Sequence, residues 1–176
     1  SKDISSNDNV QETIKKLFKN NRYSTGVISQ ILYVGAQIMC WTYIYQYAEA
    51  INIDSVNAGY FQMIAFIVFF LGRAFGTYFL RFINSGKLLM FYAIFAFVLM
   101  LGVIFIEGVI GLYFLVGVSF FMSVMFPTIY GISLGKLNNE ESKIGSAGLV
   151  MAIVGGALMP KLQATIIDIG GYAVND

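Results

Sequence analysis

The residues able to do chemistry in this sequence form stripes rather than clusters. Gln30, Tyr33, Gln37, Trp41 and Tyr45 recur at three- and four-residue steps, the spacing that stacks side chains on one face of a helix. The Gln37 carboxamide both donates and accepts hydrogen bonds, and Trp41 offers an aromatic face with an N–H edge. Such a column suits a polyhydroxylated ligand, whose hydroxyls need paired donors and acceptors and whose C–H faces stack on rings. The same residues can act as interhelical glue, with Gln37 bonded to a neighbouring helix and Trp41 packed. Amides and rings alternate there without the small residues that tight helix packing uses, which favours a cavity face.

A second stripe holds Ser119, Ser123, Pro127 and Tyr130. Pro127 lacks an N–H and crowds the preceding turn, so FMSVMFPTIY is expected to bend and free a carbonyl. Ser and Thr often satisfy their own backbone, so this face stays open between cavity and packing. Other chemistry is excluded more firmly. Histidine is absent and Cys40 is the only cysteine, which removes imidazole acid–base catalysis, an intrachain disulfide and any His/Cys metal cluster. No nucleophile has a neighbouring base, so an enzyme is not expected. The glycines of KIGSAGLVMAIVGGALMP are not a phosphate loop, because no GK[ST] follows.

The elements that must hold these stripes follow from composition. Of 176 residues, 57% are hydrophobic and 12% charged, and the charges gather in short gaps between apolar runs long enough to cross a bilayer. Five spans are expected: Val27 to Ala48, Val56 to Phe82, Leu88 to Ile106, Ile110 to Leu134 and Gly145 to Ile167. Lys15, Lys16, Lys19, Arg22, Arg81, Lys87, Lys136 and Lys143 flank alternate gaps, whereas EAINIDS and IEG carry only acids. By the positive-inside rule the N-terminal end is cytoplasmic. The opening carries no secretory signal pattern, and SKDISSNDN is expected to be disordered. Val10 to Asn21 places Ile14, Leu17 and Phe18 on one helical face among lysines, either on an anionic membrane surface or as a solvated linker.

The remaining faces differ in character. Gly72 and Gly76 form a GxxxG in the second span, and Gly145, Gly148, Ala152, Gly155 and Gly156 line the fifth with small residues; Pro160 is expected to kink its outer third. The third span is apolar all round, as suits a peripheral helix facing lipid. In order the spans read stripe, small, apolar, stripe, small, a three-helix period whose copies cross the membrane in opposite senses, as in secondary transporters. Arg73 stands out in AFIVFFLGRAFGTYFLRF. It lies about 12 Å from the cytoplasmic end of its helix and is expected to bond helix-end carbonyls or a carboxylate across an inner interface.

With these residues in view, the chain resembles the C-terminal half of the major facilitator superfamily, in the fucose:galactose:glucose proton symporter family. The resemblance is carried by ILYVGAQIMCWTYIYQYAE, by LGRAFGTYFLRF with its basic loop, and by FMSVMFPTIYGISLGKL running through KIGSAGLVMAIVGGALMPKLQATIID. It implies an all-α membrane protein whose five spans are the seventh to eleventh of twelve. The first and fourth would border a central cavity, the second and fifth the interface between halves, and the third the outside. It further implies alternating access around a midplane sugar site in a bacterial inner membrane, with inward proton movement and no other cofactor.

On this reading residues 1–25 are a polar, basic cytoplasmic linker, 26–168 an incomplete C-terminal transmembrane domain and 169–176 an outer loop before a missing helix. Tyr33, Gln37, Trp41 and Tyr130 are the expected substrate contacts. Arg73, Gly72, Gly76, Pro127, Gly155 and Gly156 are the expected gating or interface residues. The partners are a small sugar, the bilayer and the missing N-terminal half, which would carry the coupling carboxylates; nucleic acid is not among them. Glu49, Asp54, Glu107 and Asp168 all sit in loops or at helix ends, so the fragment alone is expected to be inactive. The alternative is a structural or regulatory membrane subunit without transport activity, which would use the glycine faces equally well.

Overall fold

A computed structural model describes residues 2–169, and within them every regular element is helical. A polar helix, α1 (Lys2–Lys19), leads into α2 (Asn21–Ala50), α3 (Ser55–Phe79) and α4 (Ser85–Phe105). The fourth span is broken into α5 (Val109–Met122) and α6 (Met125–Leu134), and the fifth into α7 (Asn139–Met151) and α8 (Val154–Ile169). Five helical segments are long and apolar enough to cross a membrane, so the chain is an integral, multi-pass membrane protein. The expected loop at 169–176 lies, apart from Ile169, outside the described residues.

Three boundaries differ from the sequence expectation, each for a local reason. The first span begins at Asn21 rather than Val27, because the Asn20 side chain accepts the Arg22 N–H at 3.1 Å and caps the helix there. The segment before it is helical from Lys2 instead of disordered or a free linker. Its Leu17 is buried with Tyr23 and Leu149, and Lys16 pairs with Glu141 at 2.6 Å, so α1 is docked on α7. The fifth span runs through Pro160 and breaks two turns earlier, where Ile153, Gly155 and Gly156 donate to carbonyls three residues back. A glycine pair tightens readily into such turns.

The break in the fourth span lies close to its proline. Pro127 occupies the first turn of α6, where its missing N–H is one that no helix would use, and the chain loosens at Ser123 and Val124 just before it.

Packing centres on the two spans with polar stripes. The fourth is the most enclosed and α2 the next, and together they supply most of the core, including Ile44, Leu112, Leu115 and Val118. The third span, α4, packs on the fourth span, burying Leu88, Tyr92 and Val103, and leaves Phe91, Phe95, Phe97 and Ile104 exposed, as a lipid-facing helix should. Three side chains of α2 fasten it to the fourth span at its base, middle and top. Arg22 Nε donates to the Ile132 carbonyl at 2.8 Å, the Tyr33 hydroxyl to Met122, and the Tyr47 hydroxyl to Gly108 at 3.2 Å. As the donor number rises its partner's falls almost residue for residue, which is the register of two antiparallel helices.

Candidate functional site

This register fixes the level of every residue in the first-span column. Tyr33 meets the fourth span at its break, where Met122 ends α5 and its carbonyl turns out of the helix toward the phenol. Gln37, one turn outward, is therefore level with Val118 and Ser119. Trp41 is a further turn outward and leans on α3, its ring edge-on to Phe66 at 5.0 Å and Phe69 at 5.2 Å. Tyr45, at the outer end, is exposed.

Buried polar atoms without partners concentrate along this column. Gln37 is only 8% exposed, and its carboxamide bonds to none of the described residues. The Trp41 Nε1–H and the Ser119 hydroxyl are buried and unpaired. Gln30, fully enclosed, lacks a partner for both its oxygen and its nitrogen. Each fully buried group, namely those of Gln30, Trp41 and Ser119, costs about 1–3 kcal/mol in a membrane span unless a ligand, water or another chain meets it, whereas the Gln37 amide atoms reach the surface of the described chain. Ser123 of the second stripe is self-satisfied, bonding the Phe120 carbonyl at 2.6 Å, and off the stripe Thr128 bonds that of Val124 at 2.7 Å and Ser133 that of Ile129 at 2.7 Å.

The four expected substrate contacts are thus not all brought together. Tyr33, Gln37 and Trp41 form one column, with Tyr33 already committed to the Met122 carbonyl. Tyr130 lies two turns inward of that carbonyl, about 12 Å along the span, stacked on Phe126 at 6.5 Å and packed against the cluster of Tyr23 and Leu149. Three polar groups were not among the expected contacts: Gln30, Ser119 and Gln163 on α8, whose side-chain oxygen is also buried and unpaired. Gln30 and Ser119 carry a sequence signal, since both lie on the polar stripes; Gln163 lies on none.

The expected gating glycines sit against the chain's own spans. A Cβ on Gly72 would strike the Phe120 carbonyl, and one on Gly76 would meet Val124 and, at 3.1 Å, the Tyr92 hydroxyl, so the GxxxG seats α3 on the fourth span. Gly155 touches the Ile31 carbonyl and Gly156 lies beside Val34 and Ile38, which seats α8 on α2. Arg73 is at the edge of the glycine face, exposed and bonded to none of the described carbonyls or carboxylates. No group of His, Cys, Asp or Glu able to hold a metal occurs among the described residues.

No family model matches the chain. The L-fucose-proton symporter of Haemophilus influenzae is 51% identical over 157 residues, 89% of this chain and 36% of that protein. The L-fucose-proton symporter of Escherichia coli is 32% identical over 162 residues. A putative glucose/galactose transporter of Helicobacter pylori strain 26695 is 31% identical over 159 residues, 90% of this chain and 39% of that protein. Among solved structures, the major facilitator superfamily transporter FucP in the outward conformation superposes with a TM-score of 0.82 at 32% identity, covering 90% of this chain and 39% of its own. The chain thus spans between 36% and 39% of the length of these relatives. The fold shared with that transporter and the identity sustained across these relatives place this chain in the major facilitator superfamily.

Proposed function

We propose that these spans form most of the C-terminal half of a proton-coupled sugar symporter. It would work by alternating access in a bacterial inner membrane, with α1 on the cytoplasmic side. The named relatives support a hexose or fucose as substrate. The observation that carries the site is the Gln37 carboxamide, which bonds to none of the described residues, level with the buried, unpaired Ser119 hydroxyl and one turn from the buried, unpaired Trp41 N–H. Sugar hydroxyls would complete these bonds while the indole takes a C–H face. Tyr33 holds the column against the helix break, and Tyr130 belongs to the inner approach. Arg73 acts at the rim as a gate, and the breaks near Pro127 and beside Gly155 and Gly156 let the half flex.

The coupling carboxylates belong to the rest of the protein, because Glu49, Asp54 and Glu107 lie at span ends or in loops. The described chain alone would therefore not transport. In proton-driven uptake by the full-length protein, Gln37→Ala should raise the half-saturating sugar concentration about 3- to 10-fold, the loss of one net hydrogen bond, at unchanged membrane abundance. Unchanged affinity for every transported hexose would remove Gln37 from the site. Arg73→Lys is the contrasting arm: it should shift inward against outward accessibility and spare affinity.

A further inference from the structure

Two concavities meet where α1 docks on α7. The first, about 350 Å³, lies between the end of α1 and the turn after α6, and three lysines (Lys16, Lys19 and Lys136) line it against one carboxylate, Glu141. Lys16 is paired with that carboxylate, whereas Lys19 and Lys136 have no partner among the described residues. The second, about 400 Å³, shares Leu17 with the first and continues away from it. Its walls are apolar, formed by Tyr23, Val27 and Ile31 of α2 and by Ile144 and Met151 of α7. From Tyr23 to Ile31 the groove climbs eight residues, about 12 Å, most of the depth of one hydrocarbon leaflet.

The groove side of α1 carries the matching pattern. Val10, Ile14 and Phe18, four residues apart, are 41%, 38% and 60% exposed, and Ile14 and Phe18 line the second concavity beside the buried Leu17. An apolar stripe among Lys15, Lys16 and Lys19 is what a helix at a membrane interface presents. The basic cleft is therefore held at headgroup depth, with the apolar groove running inward from it.

We propose that this pair of concavities binds one anionic phospholipid of the leaflet on the α1 side. Its phosphate sits between Lys19 and Lys136, and an acyl chain lies along Tyr23, Val27, Ile31 and Met151. Charge selects the headgroup and length selects a lipid over a free phosphate. Because the lipid touches α1, α2 and α7 at once, it pins the polar lead-in helix to both the first and the fifth span.

The test is native mass spectrometry on the delipidated full-length protein in detergent, with dioleoyl phosphatidylglycerol, dioleoyl phosphatidylethanolamine and glycerol 3-phosphate as separate probes. The wild type should retain phosphatidylglycerol about tenfold better than phosphatidylethanolamine and bind glycerol 3-phosphate negligibly. Lys19→Gln/Lys136→Gln should bring the two lipids level, and Ala147→Phe, which fills the groove, should weaken both. Equal retention of the two lipids by the wild type overturns the proposal and leaves the groove to another part of the protein. Glycerol 3-phosphate binding as tightly as the lipid overturns it in favour of a soluble phosphate ligand. Both wild-type comparisons stand whether or not the variants fold.

Discussion

Gly72→Ala and Gly131→Ala are the same chemical change, yet their outcomes should have opposite signs. Both residues are helical, and alanine in place of glycine stabilises a helix by at most about 1 kcal/mol. At Gly131 the new methyl would have nothing within 4 Å, so that gain stands alone. At Gly72 the methyl would overlap the Phe120 carbonyl oxygen and press on the Phe120 Cα at 2.9 Å and the Ser123 Oγ at 2.7 Å. Two of these three atoms are backbone, and α5 is held from behind by α4, so the helices must separate rather than a side chain turn aside. Overpacking of this kind costs about 1–3 kcal/mol; with a rigid neighbour the upper end applies, which leaves a net loss of about 2 kcal/mol, roughly 30-fold in the folded fraction. The assay is thermal unfolding of the full-length protein in one detergent, followed by loss of its monodisperse chromatographic peak. Gly131→Ala should melt at or above the wild type and Gly72→Ala several degrees below it. Equal midpoints for the two variants would refute the placement of α3 on the fourth span.

Two further outcomes follow from the helix ends. Pro127→Ala restores an N–H for the Ser123 carbonyl and should fuse α5 and α6 into one helix. The distance between spin labels at Ile110 and Leu134 should then lengthen, and an unchanged distribution would show that the break does not depend on the proline. Asp54 caps α3, and its bonds to the Asn57 side chain and backbone hold its carboxyl below the ordinary range. Because the folded value is depressed, this contribution is present above the unfolded carboxylate value near pH 4 and is lost as pH falls through the lower folded one. Protection factors for amide exchange at Asn57 and Ala58, taken against the intrinsic rate at each pH, should fall below about pH 4, and Asp54→Asn, which caps without titrating, should abolish that fall.

The five crossings and the peripheral place of α4 are legible in the sequence because bilayer solvation acts on each helix separately. Length and apolarity are local properties, and lipid rewards them locally. The docking of α1 is not local. Isolated helices of this length are marginal in water, and this one is held by Leu17 against Leu149 and by a pair reaching from Lys16 to Glu141, contacts that no windowed pattern contains.

The polar column shows where such reading stops. Periodicity establishes that Gln30, Tyr33, Gln37 and Trp41 share a face, but a face has no label for what it meets. The glycines have the same gap: small residues announce a close approach without naming the partner, and Gly72 could equally have met a helix outside this chain. The three tethers explain why. Arg22, Tyr33 and Tyr47 bridge 110, 89 and 61 positions, and each donates to a backbone carbonyl. A carbonyl is present at every residue, so the acceptor leaves no mark on the sequence. What selects Ile132, Met122 and Gly108 is that their carbonyls lie at a helix end, at a break and in a turn, where the ladder leaves acceptors free. The proline beside the break is visible in the sequence and so is the phenol that takes the Met122 carbonyl. Joining them requires the antiparallel register of the first and fourth spans, and that same register is what sets Gln37 level with Ser119.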